Sequence, residues 1–311
     1  MKNKICPLCK SETYELYSEL YDKDHFIEGK FSLNECKNCK LQFISPLLNE
    51  KQLARYYPSA DYYSYHKKSN LSIIYHKISA YFYSKKNLIF NLFISPFSSL
   101  LYHYRIHPGK KLLELGCGDG MQLELYKKYG LNVAGLEPYG PSLTPREKSL
   151  NIERKSILQS KFPKESFDYI VMKEVLEHIP NQDEVLKKSY SLLKKGGKLI
   201  IIVPNVNSLW NKIFNRNWYG YDIPRHLFMY NSRNLKLRLI ENKFKISKAR
   251  TYDLPYMLDG SIKFYQVDQQ KVKKKGFNPI FSSLSKLLIT PISLIVTHLK
   301  RGSILEVEAE K

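Results

Sequence analysis

Arginine is scarce in this 311-residue chain: ten of its 50 basic residues, the other forty being lysine. Against 29 acidic residues the balance is +21. Lysine offers point charges to phosphates and anionic surfaces, whereas bidentate reading of nucleobases rests mostly on arginine. The charge therefore admits nucleic acid, a membrane surface or a phosphate-bearing small molecule as partner, and selects none of them. Cysteine is nearly absent beyond residue 39, where only Cys117 remains, and a total of five is a poor disulfide framework. Long apolar runs are missing too. Residues 88–101 are apolar for only 14 positions and include Asn91, Ser95 and Pro96; residues 279–299 carry Lys286, two prolines and several serines. Both read as amphipathic or buried helices with an interfacial role left open, not as spans. Met1 to Cys6 has no apolar core of a secretion signal, so a reducing cytoplasm is expected, with peripheral contact at the inner face of the membrane left open. No internal repeat or low-complexity tract is present. At 43% hydrophobic and 25% charged, the chain can bury a sizeable core, which excludes wholesale disorder.

From Pro108-Gly109 onward, strands alternate with helices, the pattern of a parallel sheet with crossover connections. Strands are expected at 111–115, 132–136, 166–172, 198–203, 245–252 and 303–308. Met121, Leu125 and Tyr129 share one face of a helix that Gly130 ends. Asn181 with Glu184 reads as a capping box, Val185, Leu186, Ser189, Leu192 and Leu193 as the inward face behind it, and Gly196-Gly197 as the stop. A further helix is expected over 231–244. The first of these strands runs into Glu114-Leu115-Gly116-Cys117-Gly118-Asp119-Gly120, three glycines spaced by two, and then opens a helix. Glycine permits positive φ and close backbone approach by a ligand, and the helix start presents N–H groups to an anion. A phosphate-cradling NTPase loop would need Gly-Lys-Ser/Thr, and the dinucleotide fingerprint would need glycine where Met121 stands; both are excluded. Glu137 ends the second strand 21 residues after Gly116, the placement of a carboxylate that accepts both hydroxyls of a ribose.

These segments resemble class I S-adenosylmethionine-dependent methyltransferases, with the glycine loop as motif I and Glu137 as the ribose-binding acid. Phe167-Asp168-Tyr169-Ile170-Val171 with Val175-Leu176-Glu177-His178-Ile179 resembles the family's fourth-strand segment, and Leu192 to Leu199 its fifth-strand entry. The resemblance implies an α/β fold, a doubly wound Rossmann-like sheet with an antiparallel last strand, and S-adenosyl-L-methionine held by Glu114, Gly116, Cys117, Gly118, Gly120, Glu137, Pro138 and Lys173. Cys117 is expected to pack in the turn without thiol chemistry. One departure concerns the segment after the third strand, where Ser156-Ile157-Leu158-Gln159 lacks the acid that many members place beside adenine. An oxygen acceptor needs its proton removed. His178 is the first candidate base, Glu177 beside it either shares that work or fixes the loop, and His226 belongs to a second candidate segment with Tyr219, Tyr221, Asp222 and Arg225. Glu174-x-x-Glu177-His178 also resembles a divalent-metal motif of some quinone-ring methyltransferases, and three such ligands in five residues are chemically sound.

Cys6, Cys9, Cys36 and Cys39 form two C-x2-C knuckles 26 residues apart, the spacing of a structural zinc site with no open position for catalysis. Lys10 and Lys40 follow the knuckles where glycine is usual. The expected organisation is a zinc-ribbon-like module at 1–45, a tyrosine-rich helical linker or cap at 46–108, the methyltransferase domain at 109–254, a helical insertion at 255–301 and the closing strand at 302–311. The knuckles followed by Arg55-Tyr56-Tyr57-Pro58 resemble bacterial methyltransferases of sugar-nucleotide and surface-glycan modification. That resemblance implies a sugar-type acceptor, nucleotide- or lipid-linked. The alternatives are an rRNA or tRNA methyltransferase, a quinone-type O-methyltransferase, and a non-catalytic cofactor-binding adaptor.

Overall fold

The computed structural model describes residues 5–57, 106–269 and 291–311, residue 294 excepted. Most of the expected cap and the middle of the insertion, with the apolar stretches at 69–103 and 279–290, lie outside the described residues. The chain begins with β1 (Thr13–Leu20), β2 (Phe31–Cys36) and β3 (Gln42–Ser45), followed by the one-turn α1 (Glu50–Leu53). Next come β4 (Lys111–Leu115), α2 (Met121–Lys128), β5 (Asn132–Leu136), α3 (Pro145–Ser149) and β6 (Ile152–Glu153). They are followed by β7 (Phe167–Lys173), α4 (Gln182–Leu192) and β8 (Leu193–Pro204). The last elements are α5 (Leu209–Phe214), β9 (Phe228–Met229), α6 (Ser232–Glu241), β10 (Lys245–Tyr252), α7 (Pro255–Asp268) and β11 (Ile304–Glu310).

Seven strands form one sheet in the order β10-β11-β8-β7-β4-β5-β6. The run from β8 to β6 is parallel, and β11 inserts antiparallel between β8 and β10. Leu112, Leu113, Ile170, Val171, Ile201 and Val203 are all wholly buried, as continuous apolar runs in a sheet covered on both faces must be. Each such leucine or isoleucine contributes about 1.5–3 kcal/mol by burial. The strand order reverses direction at β4, between β5 and β7, and there the carboxyl ends open a crevice in which doubly wound sheets bind ligands.

Three local expectations are corrected. Asn181 makes no side-chain cap: its φ of −101° and ψ of 55° miss the extended conformation a cap needs, and its amide instead donates to Glu184 at 3.3 Å. Gly196-Gly197 do not stop a helix, because α4 already ends at Leu192 and residues 194–197 bulge within β8 between the pairs Phe167–Leu193 and Tyr169–Lys198. In α2 the buried face is Leu123, Leu125 and Tyr126, while Met121 turns to the cavity described below.

The smaller sheet, ordered β1-β2-β3-β9, is antiparallel and takes its last strand from far along the chain. Phe43 pairs with Phe228 and Gln42 with Met229, while the Ile44 N–H donates to the Leu227 carbonyl at 3.1 Å. The amino-terminal segment is therefore sewn to the segment that follows β8, and one hydrophobic cluster runs from Leu33 and Ile44 through to Ile170 and Ile201. Among the described residues no helix is long and apolar enough to cross a membrane. The described part of the second apolar stretch is helical at 291–293 and 295–298, with Ile292, Ile295 and Leu299 exposed.

Candidate active site

The glycine turn rests on the edge of β5. Gly116 and Cys117 N–H both donate to the Leu136 carbonyl, at 2.8 and 3.4 Å, and Gly120 N–H closes the turn on the Cys117 carbonyl at 2.9 Å. Gly116 stands at φ +64° and Gly120 at +76°; a Cβ at the first would collide with Val175 and at the second with Ile152. Glycine is thus required here by both conformation and space. Glu137 lies across the turn, its Oε2 accepting from Gly118 N–H at 3.0 Å and its Oε1 from Tyr139 N–H at 3.1 Å. Cys117 packs behind the turn where a Cβ on Gly135 would meet its sulfur at 2.6 Å. Burial, with the charges of Glu114 and Glu137, pushes its thiol well up, so it stays protonated and inert.

Glu114, Gly116, Cys117, Gly118, Glu137, Pro138 and Lys173 all line one cavity of about 700 Å³. Ser156, Ile157 and Leu158 line it too, and the Gln159 side chain is occupied in accepting from Ser156 N–H at 3.1 Å. The lining here is Lys155, Ser156, Ile157 and Leu158, with no acid.

The far side of the same cavity is made by Tyr57, His178, Tyr219, Asp222, His226 and Tyr256. Tyr57 stacks on Tyr139 with ring centres 5.5 Å apart, so the two sides meet through aromatic faces. His178 Nδ1 lies 2.7 Å from the Tyr57 hydroxyl and 3.0 Å from the Arg225 carbonyl. A carbonyl can only accept, so Nδ1 carries the proton. The Nε2 atom is buried without a partner. Burial and the adjacent His226 hold His178 down to about 3. His226 packs edge-on to His178 at 4.6 Å between ring centres, and its Nδ1–H donates to the Gly220 carbonyl at 2.8 Å. Its Nε2 is 3.9 Å from Asp222 Oδ2. Burial lowers the His226 pKa, and Asp222 works in the opposite direction. Glu177 is 1% exposed, with neither carboxyl oxygen hydrogen bonded, and burial holds it well above the usual carboxylate range. Glu177, His178 and His226 bring one ligand atom each to within 4.8 Å of one another. Glu174, which the sequence motif groups with the first two, is held elsewhere by the Tyr256 hydroxyl.

A family model described as a methyltransferase domain matches residues 93–248, half of the chain. The chain belongs to that methyltransferase family. Among curated relatives, the ubiquinone biosynthesis O-methyltransferase of Pseudomonas fluorescens (strain Pf0-1) is 32% identical over 108 residues, 32% of this chain and 46% of the relative. The enzyme of the same description from Bradyrhizobium sp. (strain ORS 278) is 25% identical over 119 residues, 36% and 43% of the two chains. The methyltransferase described here thus spans about half the length of the curated relatives it matches. Among solved structures, a SAM-dependent methyltransferase from Archaeoglobus fulgidus is 20% identical with a TM-score of 0.44, covering 68% of this chain and 91% of that one.

The four cysteines of this methyltransferase meet at one point, with Cys6 and Cys39 sulfurs 3.7 Å apart and Cys9 and Cys36 3.4 Å apart. Four thiolates at about 2.3 Å from one zinc ion would be about 3.8 Å apart along each tetrahedral edge, close to these separations. Lys10 and Lys40 stand at φ +61° and +60°, the left-handed conformation for which glycine is the usual choice. Their N–H groups close the knuckles on the Cys6 and Cys36 carbonyls at 3.1 and 3.2 Å. All four residues fit a structural zinc ion. Sequence reasoning had singled out neither Tyr57 as a wall of the cavity nor Tyr256 as the partner of Glu174; tyrosines at these separations carry no spacing signal.

Proposed function

We propose that the chain transfers a methyl group from S-adenosyl-L-methionine to a small molecule, with a nucleotide- or lipid-linked sugar as the first acceptor class and methylation at oxygen or ring carbon. The observation that carries this reading is the single cavity joining the Glu137 carboxylate and glycine turn to His226 and Asp222. The sulfonium donor supplies a methyl group that is already electrophilic, so the protein's main work is to align and to accept a proton. Glu137 would take the ribose hydroxyls, and the glycine turn would let the donor's tail approach the backbone. Of the candidate bases, the geometry favours His226 over His178. With its proton fixed on Gly220 through Nδ1, His226 keeps the Nε2 lone pair, and the Asp222 carboxylate beside it favours the imidazolium formed on proton uptake. His178, with a buried Nε2, would orient His226 edge-on, and Glu177 would remain a neutral neighbour.

A sugar suits the acceptor side because the rings of Tyr57, Tyr219 and Tyr256 offer stacking faces beside the acceptors Glu174 and Asp222. The excess of lysine suits a phosphate-bearing acceptor and a site of action in the cytoplasm near the inner membrane face. Zinc on Cys6, Cys9, Cys36 and Cys39 would be structural. A second reading is favoured by the two unpartnered Glu177 oxygens: a divalent ion on Glu177, His178 and His226 would satisfy them. Binding of Mn2+ that His226→Asn removes would support it.

The test is a methyl-transfer screen across nucleotide sugars, lipid-linked sugars, catechol-type quinone precursors and RNA, read by mass spectrometry. A methylated sugar is expected. Transfer confined to the phenols, in line with the names of the curated relatives, would move the acceptor to the quinone class. Salt-sensitive RNA methylation would favour the nucleic-acid alternative. Donor binding in calorimetry with transfer to none of these acceptors would leave the cofactor-binding adaptor.

A further inference from the structure

We infer that the amino-terminal module holds the acceptor-side histidines in place through Asp22, which makes Asp22 a positioning residue of the active site. The inference rests on the acceptor-side reading above.

Asp22 follows β1 and is wholly buried. Its Oδ1 accepts from Asp24 and His25 N–H, both at 3.1 Å, which fixes its own turn. The same carboxylate also grips Arg225, 203 residues away, taking Nη2 at 2.9 Å and Nη1 at 3.2 Å. Arg225 is 1% exposed and gives its Nε to Asp222 at 3.0 and 2.9 Å and its Nη2 to the same carboxylate at 2.5 Å. One carboxylate would neutralise the guanidinium. The second leaves a surplus buried negative charge, which desolvation penalises. What the second carboxylate supplies is direction: two forks, one on each side, leave the guanidinium plane no freedom to turn.

That plane decides where the backbone around it lies. The Arg225 carbonyl takes the His178 Nδ1 proton at 3.0 Å, and the Asp222 carbonyl takes His226 N–H at 3.1 Å. Asp222 itself stands at φ +32°, a left-handed conformation that aspartate adopts more readily than most residues with a side chain. Without Asp22, the module still holds Leu227 through the Ile44 N–H, but among the described residues the guanidinium keeps only Asp222 and, at 3.4 Å, the Tyr56 carbonyl, and residues 222–226 can relax. The Arg225 carbonyl would leave His178 Nδ1, and Asp222 would shift from beside His226.

A second buried ion pair of the same turn supplies the control. Lys263 on α7 donates to Asp24 at 2.8 Å and ties the module to the rest of the molecule.

The experiment uses the full chain labelled with 15N-histidine, without donor or acceptor, with His178 and His226 resonances assigned by their loss in His178→Asn and His226→Asn. In the unaltered protein both rings are expected protonated on Nδ1. Asp22→Asn is expected to draw the two nitrogen resonances of His178 together as tautomers mix, and to shift those of His226. Arg225→Lys, which cannot span two carboxylates, is expected to do the same, while Asp24→Asn leaves both rings unchanged. Calorimetric affinity for S-adenosyl-L-methionine stays at the unaltered value in all three. Unchanged histidine spectra in Asp22→Asn and Arg225→Lys would overturn the inference, as would an equal change in Asp24→Asn. Loss of the fold in both Asp22→Asn and Arg225→Lys would make the network a folding element and overturn it too. An unaltered protein that fails to bind the donor would sink the methyltransferase reading while leaving this result standing.

Discussion

The two sides of the cavity are built in opposite ways. The centre of the proposed donor side comes from residues 114–121 and 135–139, one strand–turn–helix–strand unit whose hydrogen bonds close within 21 residues, to which residues 156–158 and Lys173 add lining. The acceptor side gathers Tyr57, His178, residues 219–226 and residues 254–257, and it leans on Asp22 from a different sheet. A site carried by one local unit is as rigid as that unit. A site assembled from loops can be reshaped by changes that never touch its neighbour. The binding of the donor and the handling of the acceptor should therefore fail independently when the chain is altered.

The largest expected effect is on the donor side alone. Gly118→Arg puts a long cation into the cavity at a residue held at φ +54° and is expected to abolish donor binding in calorimetry. Glu137→Ala removes the carboxylate and is expected to weaken binding about 10–100-fold, the worth of one or two charge-assisted hydrogen bonds. Both variants should keep their far-ultraviolet spectrum. Normal affinity in both would break the comparison at its root. The converse cut is His226→Asn, expected to slow methyl transfer about 10²–10⁴-fold with donor affinity intact, the range of a lost general base. A parallel loss of donor affinity would mean that the two sides are one unit after all.

The same contrast governs what could be read from the chain before its fold. Strands 111–115 and 132–136 were placed to the residue because their apolar runs end at glycine or charge, strand 245–252 matches to the residue as well, and the glycine turn was legible because conformation there dictates residue type. The Cys-x2-Cys spacing was legible for a similar reason: two thiolates three apart turn toward one point. His178 and His226 were chosen by residue type and by their place after the fourth and fifth parallel strands. Their contact, and the ranking of one over the other, depends on where two peptide carbonyls fall, and no sequence pattern encodes that. Asp22 had no signal at all, being one acid in a polar stretch. Asn181 misled because a cap needs a backbone conformation as well as a side chain, and the turn after Ile179-Pro180 does not supply it.

The cysteine module sharpens the comparison further. Cys6→Ser is expected to remove the bound metal and lower the melting temperature. Because β3 pairs with β9 directly after Arg225 and His226, it should also depress methyl transfer while leaving donor affinity near its unaltered value. An unchanged melting profile with no metal in either protein would remove zinc from the account, and equal losses on both sides would show that the module supports the whole molecule.

The smallest cut falls where the second knuckle meets α6. Asn231 caps that helix by accepting from Arg233 and Asn234 N–H, at 2.9 and 3.0 Å, and Asn234 returns the bond from its own side chain to Asn231 N–H at 2.9 Å. The spare amide of Asn234 reaches the Cys39 carbonyl at 3.4 Å, and that of Asn231 reaches the Lys40 carbonyl at the same distance. A pair of asparagines thus starts a helix and holds a cysteine knuckle with the atoms left over. Asn234→Ala removes half of the cap and one of the two module contacts, for which about 1 kcal/mol of stability is expected, read as a small fall in the denaturation midpoint. Zinc content and donor affinity should stay as they were, because the sulfur positions are set inside the knuckle and the glycine turn is remote. If so small a loss instead released the metal, the knuckle would owe its shape to the methyltransferase domain, and the module could not be regarded as a self-contained zinc site.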